Sequence, residues 1–87
     1  MDKVNIDSYL LSLIGECTDI NKCIVEGLKV GLDGERNGSN VTIKEDIVFS
    51  YYQLVGIIER LQGEGILPKY DDACIGSIVH NRLKEIE

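Results

Sequence analysis

The stretch IDSYLLSLIGECTDINKCIVEGLKV, residues 6–30, decides the fold class. Ile6, Leu10, Leu13, Cys17, Ile20, Ile24 and Leu28 recur at steps of three and four. That spacing lays them along one stripe of an α-helix. Tyr9, Ile14 and Cys23 widen the stripe, and Asp7 and Ser8 suit an N-cap or first turn. Gly15 and Gly27 each weaken a helix by roughly 1 kcal/mol relative to Ala, so each marks a close approach of helices or a local weak point.

Two more segments follow the same logic. From about Ile43 to Gln62, the residues Ile47, Tyr51, Leu54, Ile58 and Leu61 form a stripe, with Val48 and Val55 beside it. Thr42-Ile43-Lys44-Glu45 fits a capping box, in which the Thr hydroxyl takes the Glu amide and the Glu carboxylate reaches back. Gly63, Gly65 and Pro68 punctuate the far end. From about Asp71 to Ile86, Ile75, Ile78, Val79, Arg82 and Ile86 share a face, with Asp71 or Asp72 as the cap. No stretch alternates at period two long enough to predict a strand. The chain therefore reads as one all-α domain over residues 1–87: two long antiparallel helices plus a shorter C-terminal helix. Three helices of this size carry more apolar face than one small chain hides, which predicts a homo-oligomeric helical bundle, dimer or tetramer.

Between the first two segments lies VGLDGERNGSNVTIKE, residues 30–45. Counted from Asp33 as the first position of a calcium loop, Glu35, Asn37 and Gly38 fall at the third, fifth and sixth. The pattern then breaks. Asn40 stands where an apolar residue belongs, and Lys44 stands where a bidentate carboxylate belongs. A turn series built on Asp33-Gly34 and Asn37-Gly38 accounts for the loop.

Charge and cysteines narrow the function classes. Fifteen acidic residues against nine basic ones give a formal charge of −6, which argues against direct nucleic-acid binding. No apolar run has membrane-spanning length. The N-terminal MDKVNIDSYLL is acidic and mixed, unlike a leader. With the odd count of three cysteines it predicts a reducing, cytoplasmic setting. Cys17 and Cys23, six apart, lack a metal-knuckle spacing, and the expected role of the cysteines is as small buried hydrophobes.

Glu16 and Asp19, three apart on the first helix, are candidate metal ligands, since such a pair can hold Mg²⁺ when another helix adds oxygens. The order of segments around them resembles the MazG-like all-α nucleoside triphosphate pyrophosphohydrolases, in particular the short phage-borne forms. The residues that carry the resemblance are Gly15-Glu16-Cys17-Thr18-Asp19, Lys29-Val30-Gly31 leading into Leu32-Asp33-Gly34, the segment QLVGIIERL (53–61), and IVHNRLKEI (78–86). It spans about Leu10 to Ile86.

Where the family carries Glu-Glu-x-x-Glu on its first helix, this chain has Gly15, Glu16 and Asp19. Where it carries Glu-x-x-Asp on the second, this chain has Ser50 and Gln53. In that family the carboxylates hold Mg²⁺, which bridges phosphates and activates water. The resemblance thus implies a catalytically degenerate member that binds or sequesters a nucleotide. Lys22, Lys29 and Arg82 become the implied phosphate contacts and Tyr52 the implied base-stacking ring, while Tyr51 is expected in the core. Two alternatives stay open: a weak Mg²⁺-dependent pyrophosphohydrolase using Glu16 and Asp19, and an acidic helical module that binds a protein partner.

Overall fold

The computed structural model describes residues 5–35 and 40–87. Three helices make up most of it: α1 (Ile6–Val30), α2 (Ile43–Gly63) and α3 (Asp72–Ile86). The extended structure among the described residues is a single antiparallel bridge, Glu35 to Thr42. No helix among them is long and apolar enough to cross a membrane.

Each helix start is written in side-chain chemistry. Asn5 caps α1, its Oδ1 accepting from the Ser8 amide at 3.1 Å. The cap thus precedes Asp7 and Ser8, which occupy the first turn. Thr42 caps α2 in the expected capping box: the Glu45 amide reaches the Thr42 hydroxyl at 3.4 Å, and the Glu45 carboxylate accepts from the Thr42 amide at 3.2 Å. Asp71 caps α3 by accepting from the Cys74 amide at 2.8 Å. α1 ends at Gly31, whose φ of 89° is open to glycine and strained for other residues.

The α1–α2 connection is clasped to both helices. The Ile43 amide donates to the Gly34 carbonyl at 2.8 Å and the Lys44 amide to the Leu32 carbonyl at 3.0 Å. Lys44 Nζ also pairs with Asp33 Oδ1. The ammonium at Lys44, where a calcium loop would carry its bidentate carboxylate, is thus spent on the residue that would be the first ligand. Asn37 and Gly38 lie outside the described residues.

The hydrogen bond and the charge of Lys44 hold the Asp33 carboxyl below its ordinary 3.8. Hydrogen bonds from the Thr42 hydroxyl and then its amide do the same for Glu45, ordinarily 4.5. Carboxyls lowered by folding contribute stability above those values and lose it as pH falls through the folded ones. The acid limb of a melting-temperature profile is therefore expected to flatten below about pH 4.5 in Glu45→Gln. An acid limb identical to the parent's would remove Glu45 from the account.

α1 and α2 pack together, and α3 packs against neither among the described residues. Gly27, one turn from the end of α1, lies against Ile43, the first residue of α2, so the chain doubles back and the pair runs antiparallel. A Cβ at Gly27 would sit 2.9 Å from Leu32 Cδ2 and 3.3 Å from Ile43 Cγ2, so this glycine marks close approach. Gly15 has open space around it.

The seam between the helices consists of Tyr9, Leu13, Glu16, Ile20, Cys23 and Gly27 on α1, all buried or half-buried. Facing them are Ile43, Ile47, Ser50, Leu54, Ile57 and Leu61 of α2. Among the described residues, Cys23, Ile43 and Leu61 are the apolar side chains fully shut from water.

One step past each seam position gives a different surface. Successive residues turn about 100° round a helix, always in the same sense seen from its own N-terminus. In an antiparallel pair, the positions just after the seam therefore come to the same side. On α1 these are Leu10, Ile14, Cys17, Asn21, Ile24 and Leu28. On α2, between Lys44 and Gln62 at the two ends, they are Val48, Tyr51, Val55 and Ile58. The positions just before the seam read Ser8, Ser12, Gly15, Asp19, Lys22 and Glu26, and on α2 Asp46, Phe49, Gln53, Gly56 and Arg60. The hairpin thus has one apolar broad side and one polar broad side.

Most of the apolar side is open, with Ile14 62 % exposed, Leu28 83 % and Tyr51 53 %, while Val55 and Ile58 are half-buried. The expected stripe on the first helix thus divides, with Leu13 and Ile20 in the seam and Leu10, Cys17, Ile24 and Leu28 outside it. Tyr51, expected in the core, is on this open side. Cys17 and Cys74 are exposed, and Cys23 alone takes the buried place expected of the cysteines.

α3 leaves the end of α2 through a pinned joint. The amides of Ile66 and Leu67 both donate to the Leu61 carbonyl, at 2.9 and 3.2 Å, and Gln62 Nε2 donates to the Pro68 carbonyl at 3.1 Å. Every residue of α3 is exposed. The molecule extends 43 × 35 × 16 Å, wider than a two-helix hairpin, because α3 stands out from it.

Candidate functional site

Glu16 and Asp19 are placed differently by the hairpin. Glu16 is a seam residue, half-buried, and its Oε2 is shut from water with no hydrogen-bond partner. Asp19 is exposed on the polar side. Thr18, between them, turns its hydroxyl back to the Ile14 carbonyl at 2.9 Å and so is committed to its own helix.

The antiparallel run brings the two motif positions to one level. Ile20 lies seven residues before Gly27 and Ser50 seven after Ile43. Cys17 and Gln53 are ten away on each side. At 1.5 Å per residue the motif residues themselves, Glu16, Asp19, Ser50 and Gln53, fall about 10–17 Å from the clasped end, a spread of a little over one turn. Glu16 and Ser50 belong to the seam, with Asp19 and Gln53 on its polar side. Ser50 is buried, at 9 % exposure.

The donors at this level are two carboxylates, a hydroxyl and an amide. Among the described residues no group of three or more His, Cys, Asp or Glu side chains is arranged to hold a metal. A set with two anionic donors falls short of the carboxylate cluster that the pyrophosphohydrolase chemistry would use to balance Mg²⁺ and activate water.

The other candidate residues are scattered. Lys22 is on the polar side, and Lys29 is in the last turn of α1, where a cation suits the helix dipole. Both are exposed. Tyr52 is 66 % exposed on the outer edge of α2, with its ring centroid 5.5 Å from that of Tyr51 at a 52° tilt. Arg82 is on α3 and is held by Glu85 at 2.7 Å. Since the α3 backbone stays more than 8 Å from the backbones of α1 and α2, one chain does not bring Arg82 to Lys22, Lys29 or Tyr52.

A second concavity, of about 440 Å³, lies in the crook between α2 and α3. Glu59, Gln62, Lys69, Tyr70, Asp72 and Ile75 line it, with Gly63 at its back. None of these residues stood out in the sequence as a ligand-binding set. The signal available was the Gly63, Gly65 and Pro68 punctuation, which marks a bend without saying what gathers there.

Compared with protein-family models, with curated proteins and with solved structures, the chain matches none of them.

Proposed function

We propose that this chain is a catalytically degenerate, MazG-like helical-bundle protein that binds a nucleotide without cleaving it. The observation that carries the reading is the orphaned oxygen of Glu16. A carboxylate oxygen withdrawn from water without a partner costs free energy, and such groups gather at sites completed by a ligand. A nucleoside supplies the missing donors, through ribose hydroxyls or base N–H groups. Lys22 on the polar side and Lys29 near the end of α1 are then the phosphate contacts, and Tyr52 offers an exposed ring face. Arg82 joins them from another copy of the chain within an oligomer, since its own α3 stands clear of the hairpin. With Ser50 and Gln53 neutral, the set binds phosphate with less anionic repulsion and lacks a strong base.

The test is a melting curve of the protein against mono-, di- and triphosphates of the common nucleosides and their cyclic forms, with and without Mg²⁺. A ligand at a hundred times its dissociation constant adds about 2.7 kcal/mol to the native state. A rise of that order with one nucleotide class, unchanged by chelator, is the expected result. Pyrophosphate release dependent on Mg²⁺ would replace the reading with a weak hydrolase. No shift with any nucleotide would overturn it and leave the acidic protein-interaction module in its place.

A further inference from the structure

We infer that the crook between α2 and α3 is a binding site and that its ligand is a small zwitterion, a free α-amino acid with an apolar side chain. The inference stands apart from the nucleotide reading, since the two sites share no residue.

The cavity is the first observation. At about 440 Å³ it falls within the range of small-molecule pockets, about 300–1,000 Å³. Its frame is fixed by the joint. The amides of Ile66 and Leu67 hold the chain to the Leu61 carbonyl, and Gln62 Nε2 is tied to the Pro68 carbonyl. The connection thus carries Lys69 and Tyr70 into an angle that Glu59 and Gln62 close from α2 and Asp72 and Ile75 from α3. At Gly63, in the lining, a Cβ would meet nothing within 4 Å, and unlike Gly31 and Gly65 its φ is not positive. A side chain there would enter open space without strain.

Charge selects the ligand. Two carboxylates and one ammonium line the cavity without pairing. Among the described residues Glu59, Lys69 and Asp72 form neither an ion pair nor a side-chain hydrogen bond. Charges on the same helices outside the cavity do pair, Arg60 with Glu64 at 3.3 Å and Arg82 with Glu85 at 2.7 Å. A nucleotide would bring phosphates to Glu59 and Asp72. A divalent cation or a polyamine would meet the ammonium of Lys69. A zwitterion answers both signs at once. Its ammonium has three donors, and Glu59, Asp72 and Gln62 Oε1 are three acceptors, Oε1 being left over when the Gln62 amide nitrogen turns to Pro68. Its carboxylate takes Lys69 in a charge-assisted contact. Tyr70 and Ile75, 54 % and 46 % exposed, offer apolar surface to its side chain.

Such a ligand touches α2, the joint and α3 together. α3 has no other cover within the chain, and a 15-residue helix alone in water is marginal. Occupancy of the crook is therefore expected to protect the α3 amides from exchange.

The test is an NMR titration of the full, isotope-labelled chain with leucine, valine and phenylalanine, with amide exchange followed in parallel. For ligands of about ten non-hydrogen atoms in an open cavity, the expected dissociation constant lies between about 0.1 and 10 mM. Binding is expected to shift the amides of Glu59, Lys69 and Ile75 and to slow exchange along α3. Leucinamide lacks the carboxylate and N-acetylleucine the ammonium, and each is expected to bind at least about tenfold more weakly than leucine, the worth of one charged contact. Lys69→Met and Gly63→Leu are expected to weaken leucine by at least about the same factor, while Lys84→Met, which removes a cation of α3 outside the cavity, keeps the parent's affinity. Gly63, Lys69 and Lys84 are exposed, so these changes leave the helices in place. No shift with any of the three amino acids, or shifts confined to the α1–α2 hairpin away from the crook, overturns the inference. Leucinamide binding as tightly as leucine and indifferent to Lys69→Met also overturns it, and leaves a site for an ammonium alone, as on a basic peptide.

Discussion

Leu61→Ala is expected to lower the stability of the protein by about 2–5 kcal/mol, the range for deleting a buried leucine side chain. A domain of this length holds about 4–13 kcal/mol in all, so the loss is at least about a sixth of its stability. The reason lies in how little is fully buried. Leu61 fills the seam at one end of the hairpin, and Ile43 and Cys23 fill it toward the other. With so few fully enclosed apolar side chains, the space left by Leu61 has few neighbours able to move in. Leu11, 67 % exposed on the outer edge of α1, provides the contrast. Leu11→Ala is expected to stay within about 0.5 kcal/mol of the parent. Urea titration of both variants checks the pair, and equal midpoints would mean that the core is not where the seam places it.

Glu16→Leu is expected to act in the opposite direction and raise stability by about 1–3 kcal/mol, the cost of a withdrawn polar group without a partner. For a domain this small that corresponds to a melting temperature higher by about 4–8 °C for each kcal/mol. A leucine in that place would join Leu13, Ile20 and Cys23 along the seam. The same variant is expected to lose the nucleotide-induced rise in melting temperature. Gain of stability with loss of ligand response is the pattern of a residue kept for binding at the expense of folding. If Glu16→Leu melts below the parent, the oxygen has a partner in solution, and Glu16 is a structural residue.

The helices were legible in the sequence because local rules write them. Thr42 and Glu45 sit three apart at the start of α2, and Asp71 stands three before Cys74 at the start of α3. The Thr42 cap forms as expected, and of the two candidates Asp71 and Asp72 it is Asp71 that caps α3. Asn5, three before Ser8, follows the same rule but was hidden behind Asp7 and Ser8, which are also cap formers.

The division of labour along α1 was not legible. Leu13 and Leu10 obey the same periodicity, yet one enters the seam and the other faces outward. A stripe of period 3.6 says that a face is apolar and leaves open what covers it. Tyr51 was misplaced for that reason. The candidate site divides in the same way. Glu16 and Asp19 were visible as an i, i+3 pair, but their different burial depends on which side of α1 receives α2. The relation of Arg82 to the hairpin depends on a joint whose direction no local pattern encodes.

The clasp between Leu32 and Lys44 bears on the order in which the chain folds. Its hydrogen bonds join residues about a dozen positions apart, so closing it forfeits little chain entropy. From there each further turn of the seam pairs residues only slightly more distant in sequence, and the hairpin can close like a zip from its turn. Proteins dominated by such near-neighbour pairings fold within microseconds to milliseconds. α3 stands outside this sequence of events. In a lone chain its amides are the first expected to exchange with solvent, and they gain protection only when something lies against them.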